Sequence, residues 1–192
     1  MNLRPLLIAA AVAIGSTFTV AASAGPIGHE TGPDLVTNGG FETGDFTGWS
    51  AAVDPDFSGV DGPSAHTGNF GAFFGDVGAP GSISQALATV AGGSYNIHLW
   101  IRNDGLTPNS FEVLWGGASV YSVADLGAFA YTEIVIDPLA TGASTTLTLL
   151  ARNDNGFLEV DDISVRLVPE PDSLALVAPM LLGAVVWRRR KT

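Results

Sequence analysis

Two groups of residues in this chain have types and spacing suited to chemistry. One is an acidic set, Glu42 near the start of the compact region with Asp161 and Asp162 near its end. In the segment Val160-Asp161-Asp162-Ile163-Ser164-Val165, strand alternation puts Ile163, Val165 and Leu167 inward and Asp161 in the same phase. An inward carboxylate is costly unless a cation or several hydrogen-bond donors neutralise it. Oxygen ligands of this kind, with turn carbonyls from Gly39 or Gly40, suit a hard cation such as Ca2+; a strand-end Asp capping backbone N–H groups is the other reading. The second group is His98, Trp100 and Arg102, at i, i+2 and i+4 of an alternating segment. An outward Trp between His and Arg matches a shallow recognition face, where the ring stacks on a sugar and the polar neighbours take its hydroxyls. The alternative is a Trp that covers a loop or the rim of a second sheet.

Other candidates are weaker. Asp54, Asp56 and Ser58 before Gly59 imitate half of an EF-hand loop, but the twelfth position is Ala65 and no flanking helices are expected. Asn103-Asp104-Gly105 and Asn153-Asp154-Asn155-Gly156 read as turns. The three histidines have no metal-ligand spacing, and there is no Gly-x-Ser-x-Gly elbow and no phosphate loop. With no Cys, thiol chemistry, Cys-ligated zinc and iron–sulfur clusters are excluded. A glycosidase would need two carboxylates roughly 5–9 Å apart, which composition alone does not exclude.

The elements that must position these groups are strands. Runs of β-rich or alternating residues recur near Trp49–Val53, Phe70–Phe74, Ser82–Ala88, Ser94–Arg102, Phe111–Trp115, Ala118–Ser122, Tyr131–Ile136, Thr145–Ala151 and Phe157–Leu167, separated by Gly, Asn, Asp and Pro. Tyr95, Ile97, Leu99 and Ile101 form the inward face of one of them. Eight or nine strands without intervening helices predict an all-β fold, an antiparallel two-sheet sandwich of jelly-roll type, over residues 25–168. That stretch carries 17 carboxylates against Arg102, Arg152 and Arg166, a charge of about −14, so a nucleic-acid partner is excluded.

The two ends read as addresses. Arg4, the apolar stretch Leu6 to Val20 and the small residues Ala22 and Ala24 form a signal peptide over residues 1–24, cut after Ala24 by signal peptidase; an uncleaved anchor is the alternative. Residues 169–192 hold Pro169-Glu170-Pro171, an apolar helix-length run from Leu174 to Trp187, then Arg188, Arg189, Arg190 and Lys191. As a helix that run spans about 21 Å, short of a hydrocarbon core of about 30 Å. The cationic end would stay on the cytoplasmic side. This order of parts resembles the PEP-CTERM sorting signal. The resemblance implies a transmembrane sorting helix, transient inner-membrane anchorage, cutting near the Pro-Glu-Pro by an exosortase-type membrane peptidase, and delivery to the cell surface or extracellular matrix beside exopolysaccharide.

A second resemblance spans the middle. Leu35-Val36-Thr37-Asn38-Gly39-Gly40-Phe41-Glu42, Gly48-Trp49, His66-Thr67-Gly68-Asn69, Ile83-Ser84-Gln85 and the closing Val160 to Val165 segment are similar to the galactose-binding-like jelly roll of carbohydrate-binding modules. It implies a structural Ca2+ held by Glu42 and an Asp of the terminal pair. The function expected is a structural or adhesive surface protein without catalysis. A module recognising a specific glycan is the alternative, and a glycan hydrolase a third class.

Overall fold

In the computed structural model, described for residues 32–169, ten strands form two five-stranded antiparallel sheets packed face to face. They are β1 (Ser50–Ala52), β2 (Ser58–Asp61), β3 (Gly71–Phe74), β4 (Gly81–Ala88), β5 (Ser94–Asn103), β6 (Asn109–Trp115), β7 (Ala118–Ala124), β8 (Phe129–Ile136), β9 (Ser144–Asn153) and β10 (Leu158–Val168). The first sheet has the order β1-β4-β9-β6-β7 and the second β2-β3-β10-β5-β8. No described residue is helical. The expected signal and sorting helices lie outside the described residues.

Alternation builds the core. Ile83 and Leu87 of β4, Leu147, Leu149 and Ala151 of β9, and Phe111 and Val113 of β6 face inward from the first sheet. Tyr95, Ile97, Leu99 and Ile101 of β5 meet them from the second, all essentially fully buried, as their spacing predicts. Tyr95 keeps its hydroxyl satisfied by accepting the Val90 N–H at 2.8 Å. Nine of the ten strands fall on the expected segments. β2 lies outside those segments: Ser58 and Gly59, which imitate part of an EF-hand loop in sequence, open a strand paired with β3. The Ser58 hydroxyl lies buried, donating to Asp76 and accepting the Gly75 N–H at 3.0 Å.

β10 departs from simple alternation. Its register against β5 slips between Asp161 and Ser164, so two residues of β10 stand opposite Leu99 alone. Asp162 sits in the left-handed region, φ 50°, which Asp tolerates better than most residues. Past the bulge, β10 takes a new neighbour on its other side. Leu35 donates to the Val165 carbonyl at 2.9 Å and Ile163 to the Gly39 carbonyl at 3.0 Å. A Cβ at residue 39 would lie 1.9 Å from the Ile163 carbonyl oxygen, so this approach requires Gly39.

Candidate functional site

The bulge corrects the expected placement of Asp161. Val160 and Ile101 are core partners, and Asp161 stands opposite Trp100 on the outer side of the second sheet. It is nonetheless 0 % exposed, because the loop between β2 and β3 folds over that side. Its Oδ2 accepts the N–H groups of His66 (2.7 Å) and Thr67 (3.1 Å), and its Oδ1 accepts the Asp162 N–H (2.7 Å). Burial pushes the Asp161 carboxyl up, while those three donors pull it down. Next to it, Asp162 accepts the Thr67 hydroxyl at 2.7 Å and meets His66 Nδ1 at 2.7 Å. Glu42 reaches the far side of the same loop. Its Oε1 takes the N–H groups of Asn69 (2.8 Å) and Phe70 (3.1 Å), its Oε2 takes the Asn69 side chain (3.0 Å), and these donors lower its pKa.

The three carboxylates hold one loop, and beside Gly40 they draw close: a Cβ there would lie 3.7 Å from Asp162 Oδ1, 3.8 Å from Asp161 Oδ1 and 3.9 Å from Glu42 Cγ. Among the described residues no group of three or more His, Asp or Glu side chains is arranged to hold a metal. Oxygen donors suit Ca2+ in kind; here each of the three carboxylates already accepts N–H or O–H groups of the loop. The Asn38-Gly39-Gly40-Phe41-Glu42 motif has a structural use instead. Asn38 Nδ2 donates to Thr43 Oγ1 and to the Asp45 and Thr47 carbonyls, Phe41 is buried and stacks on Trp49, and the Trp49 indole donates to the Asn38 carbonyl.

His98, Trp100 and Arg102 do share the outer face, as alternation requires, and that face is partly covered. The His66 ring stacks on Trp100, with centroids 4.1 Å apart and planes 18° from parallel. Tyr131 packs at 4.9 Å from His66 and donates to the Ser64 carbonyl. Arg102 forms a two-pronged pair with Glu159, donates to the Pro63 carbonyl, and lies 5.2 Å from the Tyr131 ring centre. His98 Nδ1 meets Glu133 at 2.7 Å. One face of the Trp100 ring is taken by His66 of the protein's own loop.

The outer side of the first sheet carries Ser82, Ser84, Thr148, Leu150, Ser110, Glu112 and Leu114, with no aromatic ring. A glycosidase acid must stay protonated within reach of substrate. Asp161 is the described carboxyl that burial pushes up, and it is sealed off.

Sequence reasoning missed the pole of the sandwich where residues 53–57, 75–80, 104–108, 125–128 and 154–157 join strands. Buried side chains pin these loops to one another. Asn103 and Asn109 both donate to the Leu126 carbonyl, and Asn153 donates to Asn103 and Asp104. Asp76, buried, holds the Asp54 N–H at 2.8 Å. Asp104 holds the N–H groups of Leu106 and Phe157. The signal was present in the Asn-Asp turns, whose types favour such local bonds. Of the processing residues, Pro169 ends the described chain; Ala22, Ala24, Glu170, Pro171, Arg188, Arg189 and Arg190 lie outside it.

No protein-family model matches the sequence, and no curated protein matches it either. Solved structures do. TmCBM61 in complex with β-1,4-galactotriose is 23% identical, with a TM-score of 0.53, over 70% of this chain and 99% of that one. The CBM22-1 xylan-binding domain of Paenibacillus barcinonensis Xyn10C is 17% identical, TM-score 0.52, over 73% and 97%. The Clostridium thermocellum Xyn10B CBM22-1–GH10 modules, complexed with xylohexaose, are 14% identical with a TM-score of 0.54, over 71% of this chain and 29% of that one. At these identities the likeness is one of fold: a jelly-roll β-sandwich of the carbohydrate-binding-module kind.

Proposed function

We propose that this chain is an exported, non-catalytic glycan-binding module of the bacterial cell surface. The observation that carries this reading is the fold match, over nearly the whole length of each, to a module in complex with β-1,4-galactotriose and to a xylan-binding domain. That these neighbours are binding modules supports binding without hydrolysis. In this reading signal peptidase cuts after Ala24, and the tail from Pro169 to Lys191 holds the protein briefly at the inner membrane. An exosortase-type peptidase then releases it near Pro169-Glu170-Pro171 to the surface or the exopolysaccharide matrix. The adhesive role expected from the tail becomes a consequence of glycan binding.

The test is retention of the surface-recovered protein on insoluble polysaccharides, with reducing-sugar release followed in parallel. Retention without release is expected. Absence of retention on every polymer overturns glycan binding, and sugar release overturns the non-catalytic reading. Intact mass should lack residues 1–24 and the segment Leu174 to Trp187; its recovery uncut would favour a plain anchor.

A further inference from the structure

The pole with the pinned loops also carries exposed apolar side chains. Phe57 is 46 % exposed, Phe157 43 % and Val77 56 %. With Gly75, Asn153, Asp154, Asn155 and Gly156 they line a recess of about 260 Å³. That is just below the roughly 300–1,000 Å³ of common small-molecule pockets, so it suits one small polar ring rather than an extended chain. Gly75 lets the walls of the recess approach one another closely. A Cβ there would lie 2.9 Å from the Phe57 carbonyl oxygen and from Phe157 Cε1, and 3.0 Å from the Gly156 carbonyl oxygen.

Its walls are set before any ligand arrives. Phe157 packs edge-on against Phe73, centroids 5.5 Å apart at 87°. Its N–H is held by Asp104 at 2.8 Å, and Asn155 donates to the Thr107 carbonyl at 2.8 Å. Asp154 is fixed by Arg152 and by the Gly78 N–H at 3.1 Å. Preorganised walls lower the ordering cost of binding. Apolar ring surfaces beside amide and carbonyl groups offer what a pyranose needs, a platform for its C–H face and partners for its hydroxyls.

Charge narrows the ligand. Arg102, Arg152 and Arg166 each stand against a carboxylate (Glu159, Asp154 and Asp34) on a compact region that carries about −14. A uronate or sulfate would meet net repulsion.

Position agrees as well. β10 runs from this pole to Val168 at the other, about 35 Å away at strand rise. There the Gly32 carbonyl accepts from Arg166, so the two ends of the described chain lie together. The recess lies at the pole opposite the two ends of the described chain.

We infer that the recess between Phe57 and Phe157 is a subsite for one uncharged pyranose ring of a polysaccharide. This rests on the glycan-binding reading and gives it a location. The test is affinity electrophoresis of the surface-recovered protein in gels containing neutral β-galactan, xylan or β-glucan, or acidic alginate. Phe57→Ser and Phe157→Ser should each weaken retardation by a neutral polymer roughly threefold to tenfold. Val77→Ser and Asn155→Ala should weaken it by less, and they carry the test if Phe157→Ser does not fold. Leu139→Ser, 62 % exposed at the opposite pole, should change nothing. Wild-type retardation that survives all four pole variants overturns the subsite and leaves glycan binding standing. Retardation by none of the polymers overturns both, and stronger retardation by alginate than by any neutral polymer overturns the ligand class.

Discussion

The outer face of the second sheet and the loop pole hold the same kinds of residue, aromatic rings, carboxylates and amides, and use them differently. On the sheet face the rings of Trp100, His66 and Tyr131 pack on one another, and Asp161 and Asp162 bind the loop that covers them. At the pole the carboxylates and amides pin backbone, while Phe57 and Phe157 remain half exposed. An aromatic residue on an outward strand position is thus no guide to a binding surface unless it is known what lies over it. The polar groups beneath decide which rings stay open.

The largest expected effect breaks the covered region. Asp161→Ala removes one buried carboxylate and strands the N–H groups of His66, Thr67 and Asp162. Unsatisfied buried donors cost about 1–3 kcal/mol each, and partial rehydration of the loop should leave a loss of about 3 kcal/mol in unfolding free energy. A urea midpoint shift worth less than about 1 kcal/mol would show that the loop does not depend on this clasp.

Next comes Trp100→Ala, which deletes the ring under His66 and part of the support for Tyr131. A half-buried Trp should cost less than the roughly 3–5 kcal/mol of a fully buried one, here about 2 kcal/mol. Glycan retention, scaled to folded protein, should be unchanged. A stable variant with lost retention would reverse the comparison and return recognition to His98, Trp100 and Arg102.

The sandwich was legible in the sequence because period-two alternation and Gly, Asn and Pro punctuation report directly on strands and turns. Tyr95 to Ile101 illustrate it, every second residue buried. What alternation does not report is a bulge. One left-handed residue, Asp162, exchanges the inner and outer faces between Asp161 and Ile163, so an argument from phase placed Asp161 on the wrong side. Nor does it report coverage. His66 and Trp100 are 34 positions apart, and only the fold of the β2–β3 loop stacks them. β2 was missed because Ser58 and Gly59 have low strand propensity and owe their place to pairing with β3.

Acid should separate the groups further. Hydrogen bonds lower the pKa values of Glu42 (ordinary value 4.5), Asp45 and Asp154 (both 3.8) in the fold. Each contributes stability that is present above its unfolded value and is lost as pH falls through its lower folded value. Asp161 has the opposite sign. Burial raises it, so its contribution is present below about 3.8 and is lost as pH rises through its folded value. The melting temperature should therefore decline on acidification below about pH 4.5. Glu42→Gln should flatten the upper part of that decline, and an unchanged profile would mean that the Asn69 and Phe70 contacts do not persist in solution.

The smallest expected effect is that of metal, and it bears hardest on the clasp. If Glu42, Asp161 and Asp162 held a Ca2+, binding only to the folded state would add about 2.7 kcal/mol at one hundred times Kd. Their oxygens already accept N–H groups from His66, Thr67, Asn69 and Phe70. An ion could enter only by displacing some of those donors or by using lone pairs they leave free. On the hydrogen bonds alone, chelator leaves the melting midpoint where it was, and added Ca2+ or Mg2+ leaves it alike. A rise with Ca2+ but not with Mg2+, abolished by Asp161→Asn, would put the ion back between the two ends of the domain. The β2–β3 loop would then be held by a metal, and its N–H groups would have to find other partners.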